Sequence, residues 1–460
     1  MKKALILLLS LLPASLTLLS CGGGGSSSTT KTSGVPYRAF VTNNVSAGTA
    51  SAGVFIVNAA TDVRPLVAPI SAGNTPGMMV LTPNRSQTLV FSGNGLISSD
   101  NQFTIISNAS ETASGHVNLP GMTESFVVSP DSSAAYVAVP SASGQGPSTG
   151  VVEAISLNNG TVIGVTAVPA VRYLSIDNGG NRILGFSDDS NTVAVITPSQ
   201  IGIGNAVTFI GGTGVFDRPV AAFFSSDDST AYVVSCGAEC GGIQASVQQY
   251  NLVTNTLVAS VPACTPGTTQ CAGSVALVNG STMYLAGTPY TASGPSQPCT
   301  GQTPAATTCG LLTIIDLSSM SVVNTAPIVI TDGYHNRIAL GANGQLFIGA
   351  HTCTEIIPAT TGAETRGCLS IYNTLPATTV GTNPAGGVLI PPETGDVTGI
   401  QPVATRSVVY VVQGQNVQGG TLYIYDATTD ALYDNPNDAN NPGRIFGLVG
   451  NFYDVKTVDY

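Results

Sequence analysis

The chain has 460 residues and a formal net charge of −11, with 43% apolar and only 8% charged residues. An acidic balance of this kind repels nucleic acid at long range, which argues against DNA or RNA as partners. The apolar residues recur in short β-branched runs, a composition that excludes a disordered chain.

In chain order, the first segment reads as an address. Lys2 and Lys3 precede an apolar run from Ala4 to Leu19, too short to span a bilayer comfortably as a mature helix. The run ends in Leu18-Leu19-Ser20-Cys21, which resembles the bacterial lipobox. The resemblance implies a signal peptide over residues 1–20, a lipid on Cys21, and, with Gly22 following, delivery to the outer membrane of a bacterial envelope. An ordinary secretory signal would instead leave Cys21 as an unmodified thiol. Residues 21–36 contain "GGGGSSSTTKTSG", a flexible tether spanning roughly 20 Å on average. Once Lys2 and Lys3 are removed, the mature charge is about −13.

Residues 37–460 carry an internal repeat. Each unit has a polar turn, a short strand with an aromatic or aliphatic anchor, a loop and a second alternating strand. The anchors are Phe40, Leu89, Tyr136, Ile183, Tyr232, Tyr284, Phe347 and Tyr410, spaced by 49, 47, 47, 49, 52, 63 and 63 residues. The fifth unit shows four strands: "RPVAAFFSS", "TAYVVSC", "ASVQQYNL" and "TLVASVPA". Alternation and β-branched residues mark them, with Asp, Asn, Gly and Ser at the breaks. Nothing after the tether keeps a 3.6-residue period over three turns, so the chain is expected to be all-β. Four short antiparallel strands about every fifty residues describe a propeller blade, which buries its faces only by stacking on neighbours. The expectation is one β-propeller of eight four-stranded blades, or seven if a padded unit is an insertion. The segment "YRAFVTN" reads as a second strand and "FYDVKTVDY" as an orphan first strand. Pairing them would close the ring and remove two exposed edges.

The absence of tryptophan argues against WD40 repeats and Trp-docked propellers. The units "SPDSSAAYVAV", "FVTN" (Phe40 to Asn43), "YDATTDALY" and "YNLVTNTLVASVP" resemble the YVTN family of bacterial propellers. The sixth and seventh units lack its Pro-Asp pair. YVTN propellers look related to sugar-lactonase propellers, so the resemblance implies a hydrolase as one functional expectation. That family's catalytic positions cannot be matched here residue by residue.

First-to-second and third-to-fourth turns share one face of such a ring and read as short, while second-to-third loops and blade-to-blade links share the other. Nearly all padding is expected on the second face. Eight further cysteines follow this geography, and an even number in an exported chain points to disulfides. Neighbour pairing gives Cys236–Cys240, Cys264–Cys271, Cys299–Cys309 and Cys353–Cys368. No paired C-x-x-C spacing suggests zinc, and no motif implies a cofactor.

Candidate chemistry is sparse. His116 reads as exposed on an outer strand. His335 is placed on a blade-to-blade link, and His351 with Glu355 begins a stapled loop; Asp332 and Arg337 would converge with them near the axis. A general base needs such neighbours. Asp217 and Arg218 read as a local pair bracing the link before Pro219. Asp434 and Asp438, in "DNPNDANNPG", offer oxygens to calcium but miss the one-three-five ligand spacing. No Walker loop, dinucleotide fingerprint or nucleophile elbow is present. The leading expectation is a lipid-anchored envelope module that binds a protein or glycan through its stapled face. Tyr290, Tyr334 and Tyr37 are candidates for an aromatic patch there, with Asp332 and Arg337 beside it. The rivals are the lactonase-like hydrolase, which predicts a charged funnel, and an envelope component without a discrete ligand.

Overall fold

In the computed structural model the described residues are 33–44, 52–93, 101–142, 150–265, 270–291, 294–295, 309–353, 368–391, 396–414, 421–433, 443–446 and 451–459. They form eight antiparallel blades in a closed ring. Blade 1 runs, from the axis outward, through Asn451–Thr457, Arg38–Asn44 and Gly53–Asn58, with Ile70 bridging to Val54 in the fourth position. Blade 2 is Pro76–Leu81, Gln87–Ser92, Gln102–Ser107 and Thr112–Asn118; blade 3 is Ser125–Val128, Ala134–Val139, Val151–Ser156 and Thr161–Ala167. Blade 4 is Val171–Ile176, Ile183–Ser187, Thr192–Ile196 and Val207–Gly211. Blade 5 is Pro219–Phe224, Thr230–Ser235, Ser246–Asn251 and Thr256–Pro262. Blades 6, 7 and 8 begin at Val275–Asn279, Tyr334–Leu340 and Asp396–Val403. Two short 3-10 turns, Pro198–Gln200 and Gly237–Cys240, are the only helical elements among the described residues.

All eight anchor residues lie on second strands. Those strands are sandwiched between neighbouring blades, so both faces are apolar, whereas outer strands such as Thr161–Ala167 stand mostly exposed. Eight hydrophobic clusters fill the gaps. Phe103 and Phe126 join blades 2 and 3; Val171 and Tyr136 join 3 and 4; Phe186 and Tyr250 join 4 and 5. The remaining clusters continue round to Tyr410 and Phe452, between blades 8 and 1. Eight interfaces for eight blades leave no gap in the ring.

The closure is the expected one. Ala39 pairs with Thr457 and Val41 with Val455. Arg38, buried, donates to both oxygens of Asp459, to Glu111 Oε1 at 2.9 Å and to the Asn108 carbonyl. From blade 2, Arg85 donates to the carbonyls of Thr457 and Val458.

The repeated turn phrase has a local cause. In Ser129–Ser133 the Ser129 hydroxyl donates to Asp131 Oδ1 (2.6 Å) and accepts from the Ala134 amide (3.0 Å), and Asp131 accepts from the Ser133 amide. Ser225, Asp227, Ser229 and Thr230 repeat these bonds in blade 5. Thr82, Asn84, Ser86 and Gln87 repeat them in blade 2. Ser132, Asp228 and Arg85 take the positive φ that the turn requires. The side chains satisfy backbone amides that a sharp turn would otherwise leave unpaired.

Padding is not confined to one face. Residues 197–206 and 374–387 are long third-to-fourth connections on the otherwise short-turned face. The first packs on blade 3, where Ile201 crosses Gly164. The second docks on blade 8, where Asn383 donates to Asp430 at 3.0 Å.

Candidate functional site

Innermost strands start on the long-loop face, so their first residues ring the mouth of the central channel. Six of the eight break register there: Pro76–Leu81, Val171–Ile176, Pro219–Phe224, Tyr334–Leu340, Asp396–Val403 and Asn451–Thr457. The extra residues include Arg172, Asn336, Thr398 and Tyr453. A bulge re-aims side chains out of strict alternation, and here it does so at the rim of a channel.

Among the described residues three cystines staple this face: Cys236–Cys240, Cys264–Cys271 and Cys353–Cys368. Cys309 is buried, and its expected partner Cys299 lies outside the described residues. Each bond shortens the unfolded chain's freedom and holds one loop or link in place. In the first loop Gly237 has φ +64°, where an added Cβ would meet the Ala245 amide.

On one side of the mouth, Arg172 is held between two carboxylates. It donates to Asp188 through Nε and Nη2 and to Glu124 through Nη1 at 2.6 Å. The Asp188 hydrogen bond, with Glu124, holds its guanidinium above the ordinary range despite partial burial. Tyr173 reaches Glu124 at 3.4 Å, and burial pushes its phenol up to about 12. A cavity of about 320 Å³ opens here between blades 4 and 5, lined by Arg172, Tyr173, Phe186, Asp188, Arg218 and Cys240 among others. Arg218 and Asp217 do not pair with each other. Arg218 meets Asp189 at 3.2 Å, while Asp217 Oδ2 accepts the amides of Ile243 and Gln244 and so shapes the stapled loop.

Across the channel, on blades 7, 8 and 1, stand Tyr334, Arg337, His351, Asp396 and Tyr453. Tyr334 is 50% exposed and its ring lies 5.6 Å from that of His351, tilted by 31°. Gly333, at φ +98°, turns the chain into this strand, and an added Cβ would strike the His351 carbonyl. Arg337 donates to the Thr398 carbonyl at 2.6 Å, tying blade 7 to blade 8. Asp396 Oδ1 accepts the Thr352 amide at 2.8 Å. Burial holds the His351 imidazole below its ordinary range against the pull of Asp396, and the charge of Glu124, opposite, also reaches it. Asn336 Oδ1 and Thr398 Oγ1 are buried atoms with no hydrogen-bond partner among the described residues.

The expected cluster is only partly assembled. His335 is not on a link: it is the second residue of the innermost strand of blade 7, 3% exposed, with Nε2 bonded to the Thr331 carbonyl at 2.9 Å. Burial pushes its imidazole down to about 4, so it is a neutral wedge and not a general base at the mouth. Asp332 is buried just ahead of that strand. Tyr37 is exposed on the opposite face, where its carbonyl accepts the Ala59 amide, so it joins no patch with Tyr334. Tyr290 begins a two-residue strand paired with Gly294–Pro295. His116 is exposed on an outer strand, as expected. Glu355, Asp434, Asp438 and Cys21 lie outside the described residues.

Sequence reading missed Arg172, Glu124 and Glu239. Glu239 sits within the Cys236–Cys240 loop, accepts the Thr288 amide at 3.0 Å, and lies 3.1 Å from the Ser274 hydroxyl. That hydroxyl is also within reach of the His335 carbonyl, at 3.2 Å. Burial pushes the Glu239 carboxyl up to about 8, against the pull of the Thr288 amide and the Ser274 hydroxyl, which both donate to it. The stapled loop of blade 5 is thereby latched to the links before blades 6 and 7. The signal available in sequence was a lone Glu inside a four-residue cystine loop.

No protein-family profile matches the chain, and no curated protein sequence matches it. Solved structures resemble it in fold. The dihydro-heme d1 dehydrogenase NirN, in complex with DHE, superposes with a TM-score of 0.57 at 13% identity, over 92% of this chain and 75% of that one. Hydrazine synthase of Kuenenia stuttgartiensis gives 0.53 at 14% identity, over 84% and 99%. A putative 6-phosphogluconolactonase from Bacteroides fragilis gives 0.47 at 12%, over 92% and 98%. Likeness at such identity speaks to the propeller alone, since unrelated functions share one scaffold.

Proposed function

We propose that the protein is a lipid-anchored binding module of the bacterial envelope, of the YVTN type, that takes a glycan or polypeptide ligand at the channel mouth of its stapled face. The observation that carries this reading is the exposed Tyr334 ring, tilted against that of His351 beside Arg337 and Asp396 and facing Glu124 across the mouth. An aromatic platform flanked by paired charges suits a polar ligand with an apolar face. The cystines and the Glu239 latch keep the surrounding loops preorganised, which lowers the entropy lost on binding. The test is capture from detergent-solubilised envelope protein and from released envelope glycans, using the chain from residue 21 onward. Tyr334→Ala should lose the captured species; capture that survives this change would remove the reading. Palmitate labelling that persists in Cys21→Ala would remove the anchor.

A second reading has one observation in its favour. The mouth is ringed by charges, Glu124, Arg172, Asp188, Arg337 and Asp396, as a propeller lactonase would require. Most of them neutralise one another in ion pairs or are spent on backbone amides. Lactone turnover abolished by His351→Ala would favour this hydrolase over the binding module.

A further inference from the structure

We propose that the propeller is held with its short-turned face toward the membrane, presenting the stapled channel mouth away from it. This rests on the lipid anchor at Cys21 proposed above. The geometry lies at the point where the chain enters the ring. Ser33 donates through its amide to Glu111 Oε2 (2.5 Å) and through its hydroxyl to Glu111 Oε1 (2.6 Å). Glu111 belongs to the third-to-fourth turn of blade 2, on the short-turned face. Val35 is buried in the cluster between blades 1 and 2, and the Tyr37 carbonyl accepts the Ala59 amide at 2.8 Å. Arg38 completes the clamp, bonded at once to Glu111 and to Asp459. Residues 33–38 are thus tied down and cannot swing to the other face.

Gly22 to Thr32 remain between this clamp and Cys21. A chain of that length and composition spans about 20 Å on average, and roughly 40 Å when fully drawn out. Placing the stapled face against the bilayer would require it to run outward to the rim and then past the height of a blade. Strands of six or seven residues alone account for about 20 Å of that height. The tether would be stretched nearly taut, with most of its conformations lost, whereas the opposite orientation leaves it relaxed. The turns toward the membrane carry Asp131, Asp227 and Asp228, so the face stands off from anionic headgroups instead of lying on them.

The experiment uses the full lipidated protein in phosphatidylethanolamine–phosphatidylglycerol vesicles containing an acceptor-labelled lipid. A donor fluorophore is introduced as a non-natural residue at Asn159, in a short turn of blade 3, or at Ile243, in the stapled loop of blade 5. Energy transfer from position 159 should exceed that from 243 several-fold. Equal or reversed transfer in protein that needs Cys21 to bind vesicles would overturn the orientation while leaving the anchor intact. Vesicle binding undiminished in Cys21→Ala would remove both. Thirty Gly/Ser residues inserted after Thr30 should erase the difference; a difference that survived would show that the tether is not its cause.

Discussion

The two faces of the ring are built on opposite terms. On the short-turned face, Thr82–Ser86, Ser129–Ser133 and Ser225–Ser229 each satisfy their own backbone with their own side chains, and no described cystine is found there. Arginines tie blade to blade across it: Arg38, Arg85, and Arg406, which grips Asp62 with two bonds of 2.7 Å. On the other face the loops differ in length, three are cross-linked, and buried polar atoms at the bulges of blades 7 and 8 have no described partner. A turn that satisfies itself can be copied from blade to blade. A loop held by a cystine or by a carboxyl such as that of Glu239 is individual, and recognition has room only where copies differ.

The largest test of this contrast is Arg38→Ala, which strands Glu111 and Asp459 without their common cation. Removing one partner of a buried pair costs about 3–5 kcal/mol, read from denaturant unfolding. A loss below 1 kcal/mol would mean that the clasp is ornamental. Next comes removal of Cys353 and Cys368, whose 15-residue separation predicts a loss of about 3 kcal/mol, which reductant should exceed in the unmutated chain because it opens the other described cystines as well. Melting unchanged by reductant would place the stability of the stapled face elsewhere.

The pH response sharpens the comparison further. A carboxyl raised to about 8 contributes stability that is present below its unfolded value and is lost as pH rises through the folded one. His335, held down to about 4, works in reverse, contributing above its unfolded value and losing that as pH falls. The two slopes oppose each other at mildly acid pH, but above about pH 6.5 only the Glu239 slope of the two remains, beside the tail of Asp430, whose carboxyl burial pushes up to about 6. Stability should therefore decline by about 1 kcal/mol toward pH 8, and Glu239→Gln should flatten that decline. An unchanged profile would show that the Glu239 carboxyl is not raised in the folded protein. The smallest effect belongs to the repeated turns: Ser129→Ala should cost about 1 kcal/mol, and Thr82→Ala a similar amount, by midpoint shift at constant m. Unequal losses would show that the copies are not equivalent.

The architecture was legible because two periodic signals agree in it. Second strands such as Ala134–Val139 are buried on both sides and read as apolar runs, and those of blades 2, 3 and 5 follow turns whose chemistry is visible in Ser, Thr, Pro, Asn and Asp. The blade count, the closure and three cystine pairs followed from that. The channel mouth was not legible, because its innermost strands break strict alternation there. "TDGYHNR" therefore read as a link, although His335 lies inside a strand. Bulges displace Arg172 and Asn336 by a register that no local pattern encodes. The burial of Glu239 depends on Ser274 and Thr288, tens of residues away.

One consequence follows from the pairing of Arg38–Asn44 with Asn451–Thr457. Arg38 and Asp459 are separated by 421 positions, so during synthesis the first blade lacks its inner strand until nearly everything else has been made. Until Asn451–Thr457 arrives, the place beside Arg38–Asn44 is unfilled and the ring has no closing strand. Locking is deferred to the last moment, so the ring becomes rigid only once both of its end strands are present.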